Sequence, residues 1–466
     1  MASWDSLTTR QLTAQREAAV RTQVLDAVAP FSPFWRSRLS ALGRTAKDVA
    51  SLSGLRELPA AGERDVCPDG NPSGAAGLVL QAKESGYALH ADGPALRKAL
   101  GRRLTKPDDY REIVEADTRP TSYVYAGQAL RFPVASTRSD LDVVARTGAR
   151  LWQVLGLSRV DIVVSALPAA SSALVQALSL AALGASSPLF APGGQVEQVV
   201  STLNMVDATV LVLPAVGGAE LLGHLTDVGA ALSSLTTVLV AGPPDPHERS
   251  AIADAMSGIR GSRPVLLAVH VPDGHRLPWA ECRESGGRTG LHTYPDLEVV
   301  ETIDPETGEQ AGQQGPYEVV LTQLGLRGTA LLRWRTGDVA DAVEEEACRS
   351  CGRTVPRVLG LHGGALVPQL MLRTGPQAAD LRAIASALSG RPDVTDWRVV
   401  IGRSVRDGTD ELLVHVLPPG GVEQADVAVA VARDLRLAAG LLPSQVIVSD
   451  DGRLPDGTGL SERLLT

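Results

Sequence analysis

The chain has 466 residues, 44% of them hydrophobic and 21% charged; this is enough to bury two or three cores and excludes a disordered protein. The formal charge of -9 argues against nucleic acid or an anionic membrane as main partner, since both reward clustered positive charge. Lysines stand only at Lys47, Lys83, Lys98 and Lys106, which excludes any mechanism that needs a lysine in the last three quarters of the chain.

Residues 1–20 contain Asp5, Arg10 and Arg16 and no apolar run, so no secretory signal and a cytoplasmic location are expected. Residues 11–28 have apolar positions at helical spacing and predict a helix. From residue 110 onward, β-branched runs (VDIVVSALP, DATVLVLPA, LTTVLVAG, RPVLLAVHV, YEVVLTQL) alternate with helical stretches (SDLDVVARTGARLWQVLG, SALVQALSLAALG, HERSAIADAM). The alternation predicts an α/β domain with a largely parallel sheet and helices on both faces. Residues 162–196 carry no charge, long enough for a bilayer, but Pro168, Gly184 and Pro188 divide them into strand, helix and strand lengths; no membrane span is expected. Beyond residue 357 the pattern becomes helix, two strands, helix, strand, a small α+β unit of about a hundred residues. The expected domains are 1–360 and 361–466.

Residues 293–338, TYPDLEVVETIDPETGEQAGQQGPYEVVLTQLGLRGTALLRWRTGD, resemble the phenylacetate-CoA ligase family of adenylate-forming enzymes. The likeness ends on Trp334, Arg335, Thr336, Gly337 and Asp338. It extends to PFWRSRLSALGRTAKDV near the start and to CRSCGRTVPRVLG and LPDGTGLSERLL downstream. It implies a large N-terminal adenylate-forming domain, a small C-terminal lid, and activation of a carboxylic acid by ATP and magnesium with transfer to a thiol. It further implies that Asp338 accepts hydrogen bonds from the ribose, with Thr336, Gly337 and Arg357 beside it. The alternative for this motif is a tight turn closing a strand, with Arg335 buried against Asp338.

Four positions depart from the family pattern. The glycine-rich phosphate loop falls on YVYAGQALR, residues 123–131, where Gly127 is the one glycine; such a loop needs glycines so that backbone N–H groups can approach phosphate. The adenine-stacking aromatic and the magnesium carboxylate fall on Ala268, Val269, His270, Val271 and Pro272, with Asp273 the nearest acid. The lysine that neutralises charge on the α-phosphate falls on Leu460. The hinge falls on Gly360, Leu361, His362 and Gly363, without its polar pair. These losses predict a ligase-fold protein with lost or much reduced adenylation, an accessory protein of a biosynthetic pathway with no catalytic residue assigned. The alternative is a divergent active ligase that adenylates an unusual carboxylic acid and passes it to a thiol or amine. ATP and magnesium stay open as ligands; a small acid or acyl group and a protein partner are the expected partner classes.

Apart from Cys67, the cysteines form one constellation. Cys348 and Cys351 make a Cys-x-x-Cys turn, and Cys282 with His292 offers two further soft donors, enough for a closed tetrahedral zinc site that staples loops. Some members of the resembled family carry structural zinc at matching positions. Reduced thiols, or a disulfide between Cys348 and Cys351, are the alternatives.

Overall fold

Val210–Pro214 and Thr237–Ala241 are uninterrupted apolar runs whose side chains are almost all buried. Strands of this kind are stable only when covered on both faces. In a computed structural model they lie side by side at the centre of the larger sheet. The structure describes residues 4–66, 72–80, 101, 104–105, 119–126, 132–167, 172–193, 195–215, 217–242, 244, 246–285, 290–305, 307–311, 317–361, 370–371, 378–379, 384, 387–388, 391–403, 410–419, 424–439, 443–449, 454 and 459–464.

Strands are numbered in chain order: β1 Pro120–Ala126, β2 Phe132–Thr137, β3 Val163–Ser165, β4 Leu189–Phe190, β5 Val210–Pro214, β6 Thr237–Ala241, β7 Val265–His270, β8 Trp279–Glu281, β9 Leu291–His292, β10 Glu298–Ile303, β11 Tyr317–Gln323, β12 Trp334–Ala340, β13 Ala342–Glu344 and β14 Arg357–Leu359. Among the described residues the main sheet runs β13-β14-β9-β8-β7-β6-β5-β3-β4. From β4 to β7 the pairs are parallel, as the alternation of strands and helices predicts. From β7 to β13 they are antiparallel: β7–β8, β8–β9 and β13–β14 are consecutive strands, whereas β14 returns to pair with β9 after the chain has made β10 to β13. YEVVLTQL becomes β11, the middle of a separate antiparallel sheet β10-β11-β12.

The helix Arg138–Leu155 begins at a capping box of Thr137 and Asp140 and ends on left-handed Gly156. It buries Val144, Gly148, Leu151 and Leu155, one face at helical spacing. Its neighbour Ser172–Ala185 packs backbone to backbone against it: a Cβ on Gly148 would stand 2.2 Å from Ala181 Cα, and one on Gly184 would stand 1.6 Å from Ala145 O. Gly184→Ala is therefore expected to force the helices apart and cost about 2 kcal/mol, read as a lower urea midpoint with an unchanged slope. The predicted helix at residues 11–28 is Thr9–Thr22 followed by a π turn, Gln23–Val28. No helix among the described residues is long and apolar enough to cross a membrane, and the uncharged stretch divides into β3, Ser172–Ala185 and β4.

By internal contacts the chain divides into two units, the first ending at Ala365 and the second beginning at Leu366. In the second, β15 Leu370–Met371 pairs with β16 Ala378–Ala379. A further sheet runs β19-β18-β17-β20, from β17 Asp396–Arg403, β18 Asp410–Leu417, β19 Gln445–Val448 and β20 Gly459–Leu464. The helix Gln424–Ala439 supplies Val427, Val431 and Leu435 to a core with Val399, Leu412 and Val414. Most of the first helix expected beyond residue 357, QAADLRAIASALSG, lies outside the described residues.

Candidate functional site

The Thr336–Gly337–Asp338 trio sits in an irregularity of β12. Arg335 pairs with Val320 and Val339 with Glu318, so β12 carries extra residues between these register points. Gly337 adopts φ +71° there, a conformation costly for residues with a Cβ. Thr336 Oγ1 donates to Val319 O (3.0 Å) and accepts from Asp338 N (3.1 Å). The bulge turns Asp338 inward, where it is fully buried. Its Oδ2 lies 2.8 Å from Nε2 of His270, the last residue of β7, also fully buried. A carboxylate accepts, so Nε2 carries the proton, and Nδ1 has no hydrogen-bond partner among the described residues. Arg335 does not fill the place expected beside Asp338: its guanidinium binds Glu318 (2.8 Å) and Pro305 O (2.8 Å).

Arg357 stands elsewhere than in the β10-β11-β12 sheet. It lies on β14, in register with His292 of β9, and its guanidinium is bound to Glu344. The phosphate-loop position is a β1–β2 hairpin with Tyr123 and Tyr125 both more than half exposed; residues 127–131 lie outside the described residues. Pro272 and half-buried Asp273 follow β7 in a turn. Leu460 lies in β20, in parallel register with Val399. Gly360 is left-handed (φ +58°) after β14, while His362 and Gly363 lie outside the described residues.

Beyond that turn, a buried histidine and a buried arginine organise the interior. His275 Nδ1 faces Gln323 Nε2 (3.2 Å), leaving Nε2 to approach Glu298 at 2.6 Å. Arg276 donates to Ala135 O, Asp140 (3.0 Å), Gln323 Oε1 and Thr329 O. Burial pulls the Arg276 pKa down, and the Asp140 charge opposes it. Asp140 also accepts from the amides of Thr137, Arg327 and Gly328. His270 and His275 are both interior residues, each with a ring nitrogen against a buried carboxylate, Asp338 and Glu298 respectively.

The Cys282, His292, Cys348 and Cys351 donors do converge, all within 4.8 Å of one another. Cys282 follows β8, His292 ends β9, and the two remaining thiols come from the turn after β13. Cys282 Sγ lies 3.9 Å from Cys348 Sγ, and Cys351 Sγ lies 3.6 Å from His292 Nε2. A tetrahedral ion with zinc's bond lengths requires about 3.8 Å between sulfurs and about 3.6 Å from sulfur to nitrogen, so the donors fit such an ion. The thiols are unbridged, and 3.9 Å is far beyond a disulfide bond. Burial, then Arg353 and Arg357, push the His292 pKa down to about 3, so the imidazole is neutral. Burial pushes Cys351 up to about 11.

No protein-family model matches the chain. A phenylacetate-coenzyme A ligase of Thermus thermophilus is 32% identical over 139 residues, which is 30% of each chain. Among solved structures, a 2-hydroxyisobutyryl-CoA ligase in complex with 2-HIB-AMP and CoA superposes with a TM-score of 0.59 at 16% identity, covering 99% of this chain and 91% of that one. The same ligase in its postadenylation state with R3-HIB-AMP gives 0.62 at 15%, with the same coverage. The chain thus shares the fold of this ligase, and 139 of its residues are similar in sequence to a phenylacetate-coenzyme A ligase.

Proposed function

We propose that this chain is a ligase-fold protein whose adenylation is lost or much reduced, acting as an accessory protein, and that Cys282, His292, Cys348 and Cys351 hold a structural zinc ion. The observation that carries the first part is Asp338, fully buried against His270 at 2.8 Å. A carboxylate with no exposed surface, one of whose oxygens already accepts from His270, is presented to a ribose hydroxyl only if the packing around it opens. The absence of a carboxylate at residues 268–272 and of a lysine at 460 points the same way. The ligand class consistent with the fold is a small carboxylic acid or acyl group, with Thr336, Gly337 and Asp338 holding the strand bulge in place of ribose. Four soft protein ligands leave no open place on the zinc; its role would be to tie β8, β9 and the 348–351 turn together.

Titration calorimetry with ATP and magnesium, followed by pyrophosphate exchange across a panel of carboxylic acids, tests the reading. The expected result is no saturable ATP heat at millimolar nucleotide and no exchange. Tight ATP binding with acid-dependent exchange would sink it and establish the divergent active ligase instead.

A further inference from the structure

We propose that Arg353 is a positioning residue that couples occupancy of the Cys282–His292–Cys348–Cys351 centre to docking of residues 4–7; the inference rests on reading that centre as a metal site. A divalent ion with three thiolates and a neutral imidazole carries one net negative charge. Arg353 lies two residues beyond Cys351 and closes the turn that carries the two thiols: its carbonyl accepts from Cys348 N (2.8 Å), and Gly352 N donates to Cys348 O (2.8 Å). The Arg353 guanidinium reaches outward: Nε lies 3.3 Å from Asp5, another nitrogen 3.8 Å from Glu284, and a third donates to Gln153 O (2.9 Å). Thr354 continues the contact, its N donating to Asp5 O (2.9 Å) and its Oγ1 to Leu7 O (2.8 Å).

The docked segment ends on Trp4, whose ring lies 5.8 Å from Tyr294 with Arg150 stacked 5.1 Å over it. Trp4 Nε1 donates to Gln153 Oε1 (3.2 Å). The residue whose backbone closes the Cys348–Cys351 turn is thus the one whose side chain clamps the segment. With the ion present, the 348–354 turn is tied to β8 and β9 through its two thiols and has a fixed shape. With the ion absent, the turn loses its tie to β8 and β9, and Arg353 and Thr354 are no longer held where Asp5 and Leu7 need them.

Hydrogen exchange of the full chain, zinc-loaded and after chelation with metal content measured alongside, tests this. Peptides covering residues 4–12 are expected to exchange at least about tenfold faster after chelation, while β5 and β6 keep their protection. Arg353→Gln is expected to show the fast exchange while still holding one zinc per chain, and Arg353→Lys to recover part of the protection. Unchanged exchange at 4–12 on loss of measured zinc overturns the coupling and leaves the metal site standing; so does slow exchange in zinc-loaded Arg353→Gln, even where chelation unfolds the chain globally. Loss of zinc from Arg353→Gln also overturns it, since the residue would then hold the ion and not relay its presence. A chain that takes up no zinc overturns both the coupling and the metal site.

Discussion

Cys282→Ser is expected to destabilise the first unit by at least about 3 kcal/mol, because it opens a metal centre whose binding free energy is folding free energy. The same loss should follow chelation of the unaltered protein. Chelation of the variant should then add little, and this non-additivity separates a metal site from a cavity left by a missing thiol. Thermal unfolding with metal content by native mass spectrometry makes the measurement; an intact, equally stable metal-free protein refutes the zinc reading. Acid should act in the same direction. His292 holds its folded pKa at about 3 through burial and the nearby Arg353 and Arg357 charges, while the unfolded imidazole titrates near about 6.5. Between those values the unfolded chain binds a proton that the folded chain refuses, so the contribution of His292 is present above the upper value and is lost as pH falls toward the lower one.

Arg276→Met is expected to cost about 3 kcal/mol. The side chain is nearly fully buried and serves four acceptors at once: Ala135 O, Asp140, Gln323 and Thr329 O. Removing the cation leaves a buried carboxylate supported only by the amides of Thr137, Arg327 and Gly328, and an uncompensated buried charge is what makes half a pair worse than none. The double variant Arg276→Met with Asp140→Asn should recover part of the loss. Urea titrations of the two single variants and the double variant form a cycle that reads the coupling. A single-variant effect below about 1 kcal/mol would show that hydrogen bonds to neutral groups, and not the ion pair, hold this interior together.

Local signals were legible where the cause is local. The VLVLP and TVLVA runs state that both faces of their strands are covered, the Thr137-x-x-Asp140 pattern states where a helix begins, and the Cys-x-x-Cys turn states that two thiols face one point. Convergence was not legible. His270 and Asp338 are 68 residues apart, and Arg276 and Asp140 are 136 apart, with nothing in either neighbourhood naming the other. An isolated histidine in the degenerate adenine motif reads as a rim residue until β7 and the β12 bulge are seen to place it against Asp338. Arg357 misleads for the opposite reason. Its position in the chain, shortly after the Thr-Gly-Asp motif, suggests shared work, but β14 carries it into the main sheet beside His292. The antiparallel half of that sheet depends on β14 returning to β9 across the β10-β11-β12 sheet, which strand composition does not reveal.

The Asp140 hub also has a consequence for how the chain comes to be folded. Its acceptor oxygens are satisfied by Arg276, 136 residues later, and by Gly328, 188 residues later. At ordinary translation rates of about 5–20 residues per second, Arg276 follows Asp140 by roughly 7–27 s and Gly328 by roughly 10–40 s. During that interval the helix Arg138–Leu155 has its own cap but no partner for the charge at its mouth, and closing such distant contacts is entropically slow even in the complete chain. The interior of the first unit is therefore assembled late, and a nascent chain spends its longest exposure with the apolar faces of Arg138–Leu155 and Ser172–Ala185 already made and their buried counter-charge still to come.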